Sequence, residues 1–334
     1  IAERGRCLPC MVFLFCWATI VYCPVVFWIW NGGWAADYGV LEYAGGGPVE
    51  IFLGASAFVY LAFLGRRNET LMINYRPHNI STIFMGTSLL YMGWLFFNGF
   101  SCGNSSVKVA YSMMNTHICG AFGALSWCLV DFRLEKKYLM VALCSGCISG
   151  LVAATPSSGM IPLWASVILG IVSGVICNLS TQIKYLCRVD DSLDVWAEHG
   201  MAGVIGLLFN ALFGSKTVIG YDGITDHDGG WLDHHYSQLY RQIAYILATL
   251  GYSAVMTAVL CFVINKIPGL KLRLEYDGEE RGVDEDQIGE FAYDYVEVRR
   301  DFLDWGHPSD TAPHLKSQAI DPQVVEADHP VSSS

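Results

Sequence analysis

The chain has 334 residues, of which 53% are hydrophobic and only 15% are charged, and its formal net charge is -11. A soluble domain typically carries about 25% charged residues, so this composition, with a mean hydropathy of +0.38, indicates a multi-span membrane protein. The acidic residues concentrate near 222–233 and after Pro268. The sequence has no basic stretch of the kind that binds nucleic acid, and we expect no nucleic-acid partner.

The hydrophobic residues form eight runs separated by polar breaks. A membrane helix needs about 20 mainly apolar residues, with a range of roughly 17–25. The second and fifth runs are short, but all eight approach this length, and they predict an all-α, polytopic helix bundle in the lipid bilayer. The runs are 11–30, 49–64, 80–100, 109–130, 138–154, 161–179, 195–213 and 243–264.

Lysine and arginine residues alternate between the breaks. Nearly all of them fall in every second break, whereas the four loops between those breaks, 31–43, 101–108, 155–160 and 214–237, hold only Lys108 and Lys216. Cytoplasmic loops carry the excess of positive charge, so the loops 31–43, 101–108, 155–160 and 214–237 are predicted to face outward. The chain ends and the C-terminal tail are then cytoplasmic. The basic residues that define this side are Arg4, Arg6, Arg66, Arg67, Arg76, Arg133, Lys136, Lys137, Lys184 and Arg188.

Two ionisable residues lie where the sequence is otherwise apolar. Glu50 begins the second run, directly after the flexible segment 44–48, and His199 lies in the seventh run, where the other ionisable residue is Glu198. Ionisable groups within spans are costly and usually mark a substrate, ion or proton path. The alternative is that one or both cap the end of a span at the membrane interface.

Glycines recur in the spans at spacings that suit helix contacts. Without a hydrophobic drive between helices in lipid, small residues let two backbones approach closely. We therefore expect a packing role for the glycines at 146/150, 170/174 and 200/203/206.

The sequence does not favour a metal cofactor. The pairs Cys7/Cys10 and Cys144/Cys147 lie in a basic flank and inside a span, where four ligands do not converge easily. The histidines and aspartates at 226–235 stand in a glycine-rich exterior loop, and a solvated charge cluster is the favoured interpretation there. His117, within the fourth run, is expected to pack or to form a local hydrogen bond.

The composition divides the chain into three parts. Residues 1–267 form the membrane bundle, 268–305 an acidic cytoplasmic regulatory tail, and 306–334 a disordered end rich in Pro, Ser, Asp and His. The stretch 284–305 mixes acids with aromatic residues, and we expect it to dock on cytoplasmic loops and to couple subunits. Because the sequence starts at Ile1 without an initiator Met, we expect it to be part of a longer protein.

Six stretches, in order along the chain, resemble the ammonium transporter family, which comprises the ammonium/methylammonium permeases with the Rhesus proteins as distant relatives. The similarity is greatest to the fungal permeases and runs from about residue 4 to about residue 305. The stretches are YCPVVFWIWNGGW at 22–34, LEYAGGGPVE at 41–50, GWLFFNGFS at 93–101, SGCISGLVAATPSSG at 145–159, RVDDSLDVWAEHG at 188–200 and DEDQIGEFAYDYVEVRRD at 284–301.

The resemblance implies an architecture. Members of this family have eleven spans, an outside N-terminus and a cytoplasmic C-terminus, and they form homotrimers in the plasma membrane with one pore per subunit. Eight visible spans with both ends inside would correspond to such a protein without its first three spans. The resemblance also implies nitrogen uptake by a permease rather than an enzyme, with no cofactor.

The resemblance also implies roles for individual residues. His199 matches the second histidine of the paired site in the pore, and Glu50 matches the first, where many members have His. Trp30 and Ser101 match the outer site that recruits ammonium, and Phe97 matches a gating aromatic below it. The residues in supporting positions are Glu42, Asn98, Asp191 and Asp194.

Elementary chemistry agrees with these roles. An aromatic face such as that of Trp30 can replace part of the hydration of ammonium by cation–π attraction worth about 2 kcal/mol when desolvated. Ammonium can give up a proton and potassium cannot, so a Glu50–His199 relay would separate two ions of similar size. The predicted function is transport of ammonium, with methylammonium as an analogue, as ammonia plus a relayed proton.

Two other functions remain open at this point. One is an ammonium sensor or receptor that signals through the cytoplasmic tail. The other is a membrane oxidoreductase with a haem ligated by two histidines, for which only His117 and His199 are candidates.

The sequence departs from the family pattern near the implied site. Phe100 stands where the family usually has Gly, Glu42 replaces the usual Asp, and Phe52 and Leu53 stand where smaller residues are common. These departures bear on the geometry of the outer site and on transport efficiency, and we expect them to leave the fold unchanged.

The predicted topology is testable by cysteine-accessibility labelling in intact cells. Single cysteines placed in loops 31–43 and 214–237 should react with a membrane-impermeant reagent above the background of the native thiols, because these loops face outward. Cysteines placed at 133–137 should be protected until the membrane is permeabilised. Labelling of 133–137 from outside would overturn the orientation.

Overall fold

The computed structural model describes residues 3–68 and 77–290. Arg76, the tail from 291 to 305 and the predicted disordered end 306–334 lie outside the described residues. The described residues are helices and connecting segments, with one isolated antiparallel β-bridge between Gly5 and Arg273. The prediction of an all-α bundle is confirmed.

Thirteen α-helices account for the described bundle. They are α1 (Cys7–Trp17), α2 (Cys23–Trp30), α3 (Trp34–Asp37), α4 (Phe52–Leu64), α5 (Ile80–Phe100), α6 (Val107–Glu135), α7 (Met140–Ala154), α8 (Leu163–Ser180), α9 (Ile183–Cys187), α10 (Ala202–Phe213), α11 (Lys216–Ile219), α12 (Gln238–Lys266) and α13 (Tyr276–Arg281). Wider π-helical turns occupy Ala18–Tyr22, Gly46–Ile51, Trp196–Met201 and Asp284–Ile288, and short 3₁₀ turns occupy Gly220–Asp222 and Trp231–Asp233.

Each of the eight predicted apolar runs is helical. Within the described residues, six helical segments are long and apolar enough to cross a membrane, and a seventh counts if Trp196–Phe213 and Lys216–Asp222, bent by 112°, form one span. The one remaining run, the fifth, corresponds to α7, which has 15 residues and is therefore about 22 Å long at 1.5 Å per residue. The fifth run is also one of the two short runs in the sequence.

Glycines bring α6, α7 and α8 into backbone contact. A Cβ atom on Gly123 of α6 would lie 2.5 Å from the carbonyl oxygen of Gly146 on α7. One on Gly170 of α8 would lie 2.7 Å from the carbonyl oxygen of Cys119 on α6. These positions admit no side chain without separating the helices, so the predicted packing role of the spaced glycines is confirmed.

Phe52, one of the departures from the family pattern, is accommodated in the core. Its side chain is 1% exposed, and its ring centroid lies 4.3 Å from that of Trp17 and 5.8 Å from that of Tyr22. The larger residue thus packs against the first helical segment and leaves the fold intact.

The connecting segments form two groups, one at each end of the bundle. At one end, the Arg4 guanidinium donates to the carbonyl oxygens of Gly65 at 2.9 Å and Asp190 at 2.8 Å. At the other end, the Ser215 N–H donates to the carbonyl oxygen of Met160 at 2.9 Å, and the Asn104 amide donates to that of Asp222 at 3.2 Å. This grouping matches the one that the charge pattern predicts.

A buried ionic network joins the segments at the arginine-rich end. Asp190 accepts a bidentate pair of hydrogen bonds from Arg67, at 2.7 Å from Nε and 2.8 Å from a terminal nitrogen, and Arg67 also pairs with Glu3 at 3.2 Å. Burial by itself raises the pKa of Asp190, but the hydrogen bonds from Arg67, with the charges of Arg67 and Arg4, lower it to about 2. The carboxylate therefore stays ionised and holds two loops together.

The first part of the tail docks on the same end. Leu272 and Leu274 are buried, and the Leu274 N–H donates to the carbonyl oxygen of Arg4 at 3.0 Å. Glu279 of α13 accepts from the Asn68 N–H at 2.8 Å and from Arg273 at 2.8 Å. Residues 272–279 thus contact the predicted cytoplasmic loops, whereas coupling between subunits stays a prediction.

Loss of the charge on Asp190 should destabilise the bundle. Asp190→Asn in the full-length protein removes the buried carboxylate that pairs with Arg67 and Arg4, which should cost about 3–5 kcal/mol and lower the unfolding temperature of the detergent-solubilised protein. Because the pKa of Asp190 is depressed in the fold, this stabilisation is complete above about pH 4 and is lost as the pH falls toward 2.

The matched control is Glu280→Gln, which removes an exposed carboxylate and should leave the unfolding temperature unchanged. Equal unfolding temperatures for wild type and Asp190→Asn at neutral pH would contradict the stabilising role of the network.

Candidate functional site

The structure brings Glu50 and His199 into direct contact. His199 Nδ1 lies 2.8 Å from Glu50 Oε2, although the two residues are 149 positions apart in the chain. Glu50 is fully buried, whereas 19% of the His199 side chain is exposed. Glu50 therefore lies inside the bundle and not on its outer surface.

Each of the two residues lies in a π-helical turn. Glu50 lies in Gly46–Ile51, directly before α4, and His199 lies in Trp196–Met201, directly before α10. Single π-helical turns in otherwise α-helical segments occur frequently at functional sites. The two turns contact each other, and this arrangement places one acid and one imidazole between two helices.

Three glycines set the separation of these helices. A Cβ atom on Gly54 would collide with the backbone of Gly200, and one on Gly203 would lie 3.0 Å from Glu50 Cβ and 2.9 Å from the carbonyl oxygen of Gly46. The contact between Glu50 and His199 therefore depends on backbone proximity that only glycine permits at these positions.

Trp94 completes the surroundings of His199, and sequence reasoning did not single it out. Its ring centroid lies 6.4 Å from that of His199 and 5.8 Å from that of Phe97. Its indole N–H donates to Thr155 Oγ1 at 2.9 Å. A usable signal was present, because Trp94, Phe97 and Ser101 are spaced at i, i+3 and i+7 and share one face of α5.

A cavity of about 230 Å³ contains the predicted recruitment residues. It lies at the end of the bundle opposite the arginine-rich loops. Trp30, Glu42 and Ser101 all line it. The Ser101 hydroxyl donates to the carbonyl oxygen of Phe97 at 2.6 Å. Trp30 is 42% exposed, so its ring is accessible to a cation.

Glu42 shapes the chain between the cavity and Glu50. One carboxylate oxygen accepts from the N–H groups of Gly45 at 2.9 Å and Gly46 at 2.8 Å, and the other accepts from Gly47 at 2.8 Å. Gly45 has φ +128°, a conformation that favours glycine. The longer Glu thus satisfies three backbone donors that would otherwise be buried without partners.

Phe97, Asn98 and Phe100 occupy different positions around α5. Asn98 is fully buried and donates to Thr116 Oγ1 at 3.0 Å, which fixes α5 against α6. Phe100 is 57% exposed and stacks on Phe96, with ring centroids 6.2 Å apart. The Phe100 departure therefore lies on the outer face of α5 rather than in the cavity.

The two acids at the start of the seventh run bond to a backbone N–H and to a lysine. Asp191 accepts from the Trp196 N–H at 3.0 Å, which caps the turn that carries His199. Asp194 pairs with Lys184 at 2.6 Å. Glu198 is buried and interacts with Ser145 of α7, so it faces a neighbouring helix while His199 faces Glu50.

His117 and the charged residues of the exterior loop make local contacts. His117 Nδ1 lies 2.6 Å from Tyr91 Oη, and the predicted local hydrogen bond is confirmed. In the exterior loop, Lys216 pairs with Asp226 at 3.0 Å and with Asp228 at 3.4 Å. All three side chains are exposed, which confirms a solvated charge cluster.

Fold and site together define a polytopic membrane protein with an acid–imidazole pair between spans and an aromatic cavity at one end. Residues 1–293 match the family model described as Ammonium Transporter Family, and the chain belongs to this family. It is 59% identical to ammonium transporter MEP1 of Saccharomyces cerevisiae over 93% of this chain and 63% of that protein.

Solved structures agree with this assignment. The crystal structure of Candida albicans Mep2 superposes with a TM-score of 0.78 at 43% identity, over 82% of this chain and 61% of that one. A structure titled Sensor Amt Protein superposes with a TM-score of 0.75 at 25% identity, over 85% of this chain and 71% of that one. The chain thus spans less than two thirds of the length of its curated relative MEP1.

Replacement of Glu42 by Gln should destabilise the glycine segment. The amide keeps one acceptor oxygen but turns an NH₂ group toward a backbone N–H, so at least one buried donor loses its partner at a cost of about 1–3 kcal/mol. The unfolding temperature of purified full-length Glu42→Gln should fall measurably below that of wild type.

Glu275→Gln, at an exposed position, is the control for removal of a carboxylate. A Glu42→Gln protein as stable as wild type would contradict the capping role of Glu42.

Proposed function

We propose that the protein transports ammonium across the plasma membrane, and that it is not an enzyme. The observation that carries this proposal is the 2.8 Å contact between His199 and the fully buried Glu50. An acid and a base in hydrogen-bonding distance within the membrane can pass a proton. Membership of the ammonium transporter family and similarity to proteins named as ammonium transporters support the substrate.

The first proposed step is recruitment in the outer cavity. Ammonium leaves water beside the exposed ring of Trp30 and the hydroxyl of Ser101, both of which line that cavity. Cation–π attraction offsets part of the lost hydration. Phe97, four residues before Ser101 on α5, is proposed as the gate between this cavity and His199.

The second step is transfer of a proton from ammonium to the buried pair. Glu50 Oε2 is bonded to His199, whereas no described group lies within hydrogen-bonding distance of Glu50 Oε1. The N–H bond of ammonium breaks, a carboxylate oxygen gains the proton, and neutral ammonia crosses the apolar section. Potassium has no proton to give, so the same pair discriminates against it.

The pair titrates as a unit. Because Glu50 and His199 share one hydrogen bond, protonation of one alters the proton affinity of the other. We propose that the proton leaves toward the arginine-rich end, past the turn that Asp191 caps. Homotrimer assembly, a cytoplasmic tail and regulation by residues 268–305 belong to the same proposal and rest on the family resemblance.

A sensor function is the second candidate, and one observation favours it. Residues 272–279 bond to the backbone of Arg4 and to that of Asn68. These hydrogen bonds link the tail physically to the bundle. One similar structure is titled Sensor Amt Protein. Uptake of labelled methylammonium separates the two functions, because a pure sensor binds the analogue without accumulating it.

Replacement of Glu50 tests the relay. Glu50→Gln keeps the size and the hydrogen bond to His199 but removes the titrating group, so methylammonium uptake should fall at least about tenfold or potassium should enter. Glu50→His should retain transport with a shifted pH optimum, because imidazole titrates nearer neutrality. Both variants are measured in full-length protein in a fungus that lacks its own ammonium permeases.

Glu198→Gln is the matched control, since Glu198 is also a buried carboxyl next to His199 but faces α7 instead of Glu50. It should retain most of the uptake and the potassium rejection. Unchanged rate, selectivity and pH profile in Glu50→Gln, at wild-type surface abundance, would make Glu50 a structural residue and refute the relay.

A further inference from the structure

A lysine ammonium group is buried at the outer cavity, where it is not needed for helix formation. The Lys108 residue is 2% exposed and is the second residue of α6. A positive charge at a helix N-terminus opposes the helix dipole, and lysine is almost never fully buried unless it is paired. Its position therefore calls for an explanation outside the helix.

Lys108 is held by groups of the exterior loop. Its Nζ donates to the carbonyl oxygen of Ile219 at 2.7 Å and to Asp222 Oδ2 at 2.9 Å. The side chain of Asp222 is only 5% exposed. The pair thus joins the start of α6 to the segment that follows α11, and both charges are removed from bulk water.

Asp222 has a second set of partners that fixes its own loop. Its Oδ1 accepts from the N–H groups of Ile224 at 2.9 Å and Thr225 at 2.7 Å, and its Oδ2 accepts from the Thr225 hydroxyl at 2.6 Å. These bonds do not involve Lys108. The turn 222–225 can therefore persist when the charge of Lys108 is removed.

Lys108 and Asp222 line the same cavity as Trp30 and Ser101. Lys108 Nζ also lies 5.5 Å from the ring centroid of Tyr43, the residue that follows Glu42. A cation that enters this cavity meets a fixed positive charge and a fixed negative charge on its wall. Glu42 lines the same cavity, so the balance between Lys108 and Asp222 shifts the potential that the cation experiences but does not set it alone.

We propose that the Lys108–Asp222 pair adjusts the affinity of the outer cavity for its cationic substrate, with Asp222 cancelling the repulsion from the buried lysine. The pair acts through the electrostatic potential and does not contact the substrate, so both are positioning residues. This inference rests on the proposed transport function and adds a determinant of substrate affinity to it.

The proposal demands opposite effects from the two single substitutions. Asp222→Asn keeps an oxygen for the turn but leaves an uncompensated positive charge, which should raise the KM for methylammonium. Lys108→Met keeps an unbranched side chain but leaves an uncompensated carboxylate, which should lower the KM. Each change should be roughly three- to tenfold, the size expected for one unit charge acting across a partly hydrated cavity.

The double variant Lys108→Met/Asp222→Asn is neutral at both positions and should return the KM to within about twofold of wild type, because the net charge of the wall is restored. Lys216→Met is the control, since Lys216 is an exterior lysine with a 55% exposed side chain that also pairs with aspartates. Its KM should equal that of wild type.

The experiment measures the initial rate of labelled methylammonium uptake against concentration at pH 6, in full-length protein corrected for the amount at the cell surface. Maximal rates should change much less than KM. A KM that rises in both single variants, with no recovery in the double variant, would reduce the pair to a structural contact and overturn the proposal. Absence of uptake by the wild type would instead count against the transport function.

Discussion

The cost of a charged group in an apolar interior constrains this molecule more than any other factor. A carboxyl such as that of Glu50 is tolerated inside a bundle only where a partner is within hydrogen-bonding distance, and the chain supplies His199 at 2.8 Å. The two residues come from distant parts of the sequence, and their helical segments are nearly in backbone contact where they meet. Gly54, Gly200 and Gly203 provide that contact.

The same constraint accounts for the partners of three further buried carboxyl groups. Asp190 is buried with Arg67, Lys108 with Asp222, and Glu42 with three backbone N–H groups. The two ion pairs lie at opposite ends of the bundle, and Glu42 connects the outer cavity to the glycine segment before Glu50. The contacts that give these buried groups their hydrogen-bond partners thus also hold the candidate site residues in place.

Much of this arrangement could be predicted from the sequence. The eight apolar runs, the packing glycines and the grouping of loops follow from hydropathy, residue size and charge, which are local properties of the chain. The π-helical turns at Glu50 and His199, the place of Trp94 and the pairing of Lys108 could not be predicted, because they depend on contacts between residues far apart in sequence. In the sequence, nothing distinguishes Lys108 from an ordinary exposed loop lysine.

The glycines around the Glu50–His199 contact have a consequence for how this site can diversify. Backbone contact, and not the Glu50 side chain, sets the spacing of the two helices. The helices can therefore keep their positions when the residue at position 50 is exchanged. The helix spacing would then be the same with an acid or an imidazole at position 50. A change at position 50 can thus alter the pair without moving the helices, whereas a side chain at Gly54 or Gly203 would push them apart.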